Sequence, residues 1–308
     1  MDDYITFSQA VEGYLLDATA RKLSKYTLND YLNTFRKFDV FLRDDPLISR
    51  ISPGDVKVFL AEQEVSKKTL LNYHVGLSAL WTWAVAEDIV DVHILRNLRR
   101  PKPEKKAIKP YTEEEVRAML SSLTRSKLYF RPGKRESDHK VKNAERNRAI
   151  ILLLLDTGMR SLEVCGLLIN HLDLKTRRAR VYGKGSKERI LPFSPRTGQA
   201  IWRFLAKRDE DHLGAYLFTK LSGMPMDQNS MYKVIKVIAE RAGVRGATVH
   251  RFRHTFAINY LRNGGDPWSL RMMLGHATMQ MVENYLALSE ADLVNKHKIA
   301  SPVANWRL

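Results

Sequence analysis

The chain has 308 residues, of which 44% are hydrophobic and 28% charged, a balance suited to one large or two ordinary globular domains with real cores. The 51 Lys and Arg outnumber the 34 Asp and Glu, leaving +17 and a sequence pI near 9.9. Such an excess suits a polyanionic partner, because each phosphate met by a cation releases condensed counterions; an anionic lipid surface is the other candidate.

The N-terminus, Met1-Asp2-Asp3-Tyr4, is acidic and lacks a signal-peptide core. Thr6-Phe7-Ser8-Gln9 has capping-box spacing, and Phe7, Val11, Tyr14 and Leu15 follow at helical intervals. A second helix is expected over about 25–42, with Leu28, Tyr31, Leu32, Phe35, Phe38 and Phe41 on one side. Ser52-Pro53-Gly54-Asp55 opens a third helix, and 69–86 gives a fourth that buries Tyr73, Leu77, Leu80 and Trp81. Four amphipathic helices with short connections predict a small bundle over 1–98.

The segment 99–110 then reads as a basic interdomain linker. Arg99, Arg100, Lys102, Lys105, Lys106 and Lys109 stand against a single acid, Glu104, and Pro101, Pro103 and Pro110 prevent regular helix. It is either a strap along a phosphate backbone or a merely solvated connection. Thr112-Glu113-Glu114-Glu115 is a further capping box, and it starts a second domain over 111–308. Helices are expected over 112–123, 144–155 and 162–168, with a polar loop over 125–143. The longest apolar run, 149–155, is far short of the ~20 residues a bilayer helix needs, so no membrane span is expected. Cys165 cannot form an internal disulfide and reads as a small buried hydrophobe; a reducing cytoplasm is the expected compartment. Leu172-Asp173-Leu174, Ala179-Arg180-Val181-Tyr182 and Arg189-Ile190-Leu191-Pro192 are short strands, the last two joined by the turn Gly183-Lys184-Gly185-Ser186-Lys187. Helices resume near Pro195. The fold class is mainly α: a helical bundle, then a mostly helical domain with one small antiparallel sheet.

Several polar groups stand where a core would not want them. Arg160 and Glu163 lie one helical turn apart, which fits an intrahelical ion pair. Lys184 sits between glycines that let a ligand approach, although Gly-Lys-Gly also makes an ordinary hairpin turn. His250 and Arg253 share a helix face. His250 and His254 have the spacing of a metal-binding pair, but the arginines between them oppose a cation, and a His-Arg pair aimed at an anion is the better account. Leu274-Gly275-His276 and, nine residues on, Tyr285 complete the set; a tyrosine there would by default pack on a helix surface.

Taken in order, TGMRSLEV, GKGSKER, HRFRHTFA, LGHAT and ENYL resemble the signature of the tyrosine recombinases, the phage integrase family that includes the Cre and Xer enzymes. KYTLNDYLNTFRKFDVFL and KKTLLNYHVGLSALWTWAVAEDIV resemble, more loosely, the SAM-like core-binding domain of those enzymes. The chain departs from the family pattern at VDVHILRN, where an Asn-Pro is common, in the length of the 125–143 loop, and at ATMQMVEN, which lacks the usual Thr.

The resemblance implies a metal- and ATP-independent site-specific DNA recombinase with no cofactor. Tyr285 would attack a phosphodiester to give a 3′-phosphotyrosyl link and a 5′ hydroxyl. Arg160 and Arg253 would hold the phosphate, His250 would assist the tyrosine's proton transfer, and His276 would donate to the phosphate. Lys184 would protonate the leaving oxygen, and Glu163 would orient Arg160. Further DNA contacts are expected from Arg99, Arg100, Lys102, Lys105, Lys106, Lys187, Arg189 and Arg251. The implied partners are double-stranded recombination sites and other copies of the chain, forming a tetramer on DNA in the nucleoid. The tail over 299–308 is expected to dock on a neighbour, with folding back on its own domain as the alternative. A type IB topoisomerase-like nicking-closing enzyme and a non-catalytic DNA-binding regulator are the rival readings.

Overall fold

The computed structural model describes residues 4–104, 109–123, 143–183, 188–208, 215–220 and 222–289, with a few single positions beyond. The chain divides into two compact units, Met1–Ala107 and Ile108–Leu308.

The first unit holds four helices, α1 (Phe7–Ala20), α2 (Lys25–Leu42), α3 (Pro53–Glu62) and α4 (Lys67–Ala86), with a 3₁₀ turn at Ile48–Arg50. Each start is built by a side chain that satisfies an otherwise orphaned backbone N–H. Thr6 and Gln9 cap each other's backbone at α1, and Ser52 and Asp55 do so at α3. The fourth helix begins earlier than its apolar periodicity indicates, because Ser66 Oγ accepts from the backbone N–H of Thr69 at 3.2 Å. The core is aromatic. Phe38 meets Phe7, Phe59 and Trp81 near edge-on, with centroids 5.4, 5.0 and 6.4 Å away. Such edge-to-face pairs add to the burial each ring provides.

The second unit contains α5 (Glu113–Ser121), α6 (Ala144–Thr157), α7 (Ser161–Cys165), α8 (Pro195–Leu205), α9 (Gln228–Ala242), α10 (Val249–Arg262), α11 (Pro267–Leu274) and α12 (Gln280–Ser289). Residues 149–154 of α6 are buried all round, so this helix forms the centre, with α8 and α10 packed against it. Three antiparallel strands, β1 (Leu172–Asp173), β2 (Arg178–Tyr182) and β3 (Glu188–Pro192), pair in sequence order, with Arg180 opposite Ile190. Positions 184–187 of the expected turn lie outside the described residues, as do 105–108 of the linker and 124–142 of the long polar loop. The helix expected over 162–168 stops at Cys165. Leu168 instead bridges to Tyr216, and Leu167 and Ile169 exchange backbone hydrogen bonds with Leu217 and Ala215. Cys165 is buried as expected, and burial pushes its thiol up to about 11.

A second, smaller core joins α10, α11 and α12 through Phe256, Leu261, Leu270, Leu274, Val282 and Tyr285. It fixes the helix that carries the tyrosine. Among the described residues no helix is long and apolar enough to cross a membrane.

Phe38→Ala should remove about 3–5 kcal/mol from the first unit, since a buried ring is lost and its three neighbours cannot close the cavity. Urea unfolding followed by tryptophan fluorescence would show the lower midpoint.

Candidate active site

The site begins where α6 ends. Gly158 closes that helix in the left-handed conformation at φ 63°, and a Cβ there would lie 2.5 Å from the Phe256 ring, so both backbone and space require glycine. The turn places Arg160 just before α7. Glu163 Oε2 accepts from the backbone N–H of Arg160 at 2.8 Å, and Oε1 accepts from its guanidinium at 3.1 Å.

Three arginines converge on the end of α11, whose last carbonyls have no helical partner. Arg189 donates to Met273 O at 2.8 Å, Arg253 to Leu274 O at 2.7 Å, and Arg160 to Gly275 O at 3.2 Å. Arg253 also donates to Gly158 O at 2.9 Å, and Arg189 grips both oxygens of Glu163, at 2.9 and 2.8 Å. Burial favours the neutral form of Glu163, but the hydrogen bonds and charges of Arg189 and Arg160 win and hold its carboxyl below the usual range. Burial, with Arg160 nearby, draws Arg253 down to about 10, which leaves it cationic at neutral pH. Three guanidiniums against one carboxylate make the pocket strongly electropositive.

Around these cations stand three imidazoles and the phenol. Arg253 donates to His276 Nε2 at 2.7 Å; as a guanidinium only donates, the His276 proton sits on Nδ1, a buried donor with no partner in the described protein. The His276 ring lies nearly parallel to Tyr285, 12° between planes and 6.3 Å between centroids. His254 Nδ1 is 2.9 Å from Tyr285 Oη, and the His250 ring meets His254 edge-on at 4.3 Å. Burial, then Arg253 and Arg160, keeps His276 down at about 4; burial, then His250 and Arg253, does the same for His254. His250 is lowered by burial and by the same two arginines. Tyr285 is raised by burial against the opposing pull of Arg253 and Arg160.

The structure thus brings Arg160, Glu163, His250, Arg253, His276 and Tyr285 together. Lys184, with Lys187, Lys105 and Lys106, lies outside the described residues, while Arg99, Arg100 and Lys102 are exposed in the first unit. Two of the expected DNA contacts, Arg189 and Arg251, make internal hydrogen bonds. Arg189 serves Glu163 and Met273. Arg251 donates to the carbonyls of Lys109, Pro110 and Arg245 and to Glu115, and it lies over the Tyr111 ring at 4.1 Å. His254 was weighed only as half of a metal pair. Among the described residues no group of His, Cys, Asp and Glu gathers to hold a metal ion.

A model of the phage integrase family matches residues 109–292. The chain belongs to that family. It is accordingly a tyrosine recombinase, an enzyme of DNA strand breakage and rejoining. Similar proteins include the tyrosine recombinase XerC of Staphylococcus epidermidis, 27% identical over 291 residues, covering 92% of this chain and 94% of that protein. The tyrosine recombinase XerD of Mycobacterium tuberculosis is 26% identical over 299 residues, covering 91% and 93%. Among solved structures, the Tn1549 transposon integrase in complex with a circular intermediate DNA shares the fold at TM-score 0.73 and 20% identity, over 95% of this chain and all of that one, 100%. The XerH recombinase bound to a palindromic difH substrate does so at 0.72 and 22%, over 96% and 85%.

Glu163→Gln should leave the partly exposed Arg160 and Arg189 lacking their counter-charge, costing about 1–3 kcal/mol at neutral pH. Because the folded carboxyl is depressed, its contribution is present above the unfolded value near ~4.3 and is lost as pH falls through the folded one. Thermal melts should therefore show a gap between wild type and variant that is full at pH 7 and narrows as pH falls below the unfolded value near ~4.3.

Proposed function

We propose that this recombinase cuts double-stranded DNA at specific recombination sites by attack of Tyr285 on a phosphodiester. The phenol packs against its own chain's His276, which is bonded to Arg253, and this arrangement carries the reading. Tyr285 Oη forms the bond to phosphorus as the bond to the 5′ oxygen breaks, giving a 3′-phosphotyrosyl link. The phenolic proton leaves to an imidazole of α10, and Lys184 supplies the proton for the 5′ oxygen. The bond energy stays in the covalent link, so rejoining needs no ATP.

Arg160 and Arg253 have the planar, paired donors that match non-bridging phosphate oxygens, and both are already oriented by backbone carbonyls. The unpartnered Nδ1–H of His276 suits a third oxygen. Glu163 and Arg189 position Arg160. Arg99, Arg100, Lys102, Lys105, Lys106 and Lys187 are the proposed backbone contacts. Exchange between two sites calls for four protomers, with the 299–308 tail docked on a neighbour, acting on nucleoid DNA in the cytoplasm.

A nicked suicide substrate, which traps the covalent link, tests the reading. Wild type should accumulate a protein–DNA adduct at the same rate in EDTA, and Tyr285→Phe should form none. Arg253→Lys should cleave about 10²–10³-fold more slowly while still binding DNA, as expected when one preorganised donor to a developing charge is lost. An adduct persisting in Tyr285→Phe would sink the assignment.

A further inference from the structure

If Tyr285 is the nucleophile, as read above, some group must take its proton, and the family resemblance points to His250. We propose that His254 does so instead, as a catalytic residue of the cleavage step.

The geometry separates the candidates. A general base must lie within hydrogen-bond reach of the proton it takes. His254 Nδ1 is 2.9 Å from Tyr285 Oη. Among the described residues no hydrogen bond joins His250 to that oxygen; its ring abuts the edge of His254 instead. His276 is also near, but its Nε2 already accepts from Arg253 and its Nδ1 carries the ring proton, so neither nitrogen has a lone pair for another. The phenol's own hydrogen has a single acceptor among the described residues, His254 Nδ1.

The electrostatics agree. His254 is held neutral, down to about 4, by burial and by the charges of His250 and Arg253. Its lone pair is therefore available at neutral pH, while its imidazolium is disfavoured in the DNA-free protein. A phosphodiester in the pocket brings the negative charge that offsets Arg253, so the base strengthens when substrate arrives. In cleavage the Oη–H bond breaks, the proton passes to Nδ1, the Oη–P bond forms and the P–O5′ bond breaks, with the 5′ oxygen protonated by the general acid. In rejoining, the 5′ hydroxyl attacks and returns its proton to the deprotonated general acid, the O5′–P bond forms as the P–Oη bond breaks, and the Nδ1 proton returns to the phenolate.

The test is single-turnover cleavage of the nicked suicide substrate by His254→Ala and His254→Asn. Each is run on ordinary DNA and on DNA with a 5′-bridging sulfur, which leaves without needing a general acid. Asparagine keeps an acceptor oxygen for Tyr285 but cannot hold the proton. Both variants should bind DNA like wild type and cleave about 10²–10⁴-fold more slowly, the range for loss of a general base. The sulfur substrate should not restore either, whereas added imidazole should partly restore His254→Ala. His254→Asn cleaving within about threefold of wild type would overturn the proposal, as would rescue by sulfur. Should the alanine variant fail to fold, the asparagine variant decides. The Tyr285 reading fails separately, by an adduct in Tyr285→Phe.

Discussion

The site depends on one arrangement: three arginines held side by side by the carbonyls of Met273, Leu274 and Gly275, where α11 ends, and by Glu163. Like charges about 4 Å apart near a protein surface repel by roughly 4 kcal/mol, so guanidiniums do not gather unless something negative holds them. The exposed carbonyls at a helix C-terminus supply a partial negative charge, and the buried carboxylate supplies a full one. The three successive residues each take a different arginine, which sets the spacing of the cations by backbone geometry rather than by flexible side chains. A phosphate entering this pocket meets donors that need little reorganisation. Preorganised charge of that kind is where most electrostatic catalysis comes from.

The same elements tie Tyr285 to the cations. α11 ends in the carbonyls that orient the arginines, and Leu270 and Leu274 of that helix share a core with Val282 and Tyr285 of α12. Gly158, which closes α6, gives its carbonyl to Arg253, while the Phe256 ring, from the helix that carries Arg253, fills the space a side chain would need. A change in the packing of α10, α11 or α12 is therefore felt as a displacement between phenol and guanidinium. Burial meanwhile raises the Tyr285 hydroxyl against the pull of Arg253 and Arg160, so the phenol is protonated at neutral pH.

Much of this was legible in the sequence where the determining interactions are local. Capping boxes at Thr6, Ser52 and Thr112 marked helix starts, and the Arg160–Glu163 pair was visible as a one-turn spacing. The small sheet followed from short alternating segments on either side of a glycine-bounded turn. Long-range partners were not legible. Arg189 stands 26 positions from Glu163, and nothing in its neighbourhood tells a buried clamp from a surface cation. Arg251 is similar, with acceptors more than 130 positions away in Pro110 and Glu115. The helix expected over 162–168 failed because the pairing of Leu167–Ile169 with 215–217 outweighs the local preference of an apolar run.

The histidines show how chemistry can invert a motif. His250 and His254 have the spacing of a metal pair, yet burial first, and then the nearby charges that include Arg253, disfavour a second positive charge there and keep every imidazole nearby neutral. Neutral imidazoles cannot supply the positive charge a phosphoryl transition state requires. The positive charge in this pocket resides on the guanidiniums, which stay charged even when burial draws Arg253 to about 10. What a neutral imidazole offers is one donor and one acceptor, and the tautomer decides which nitrogen is which. Arg253 makes that decision for His276 by occupying Nε2, leaving a donor for an anion. His254 Nδ1 lies 2.9 Å from the phenol oxygen, within reach of its hydrogen. Two rings of the same residue type, on either side of one tyrosine, thus stand in different hydrogen-bonding surroundings set by their neighbours.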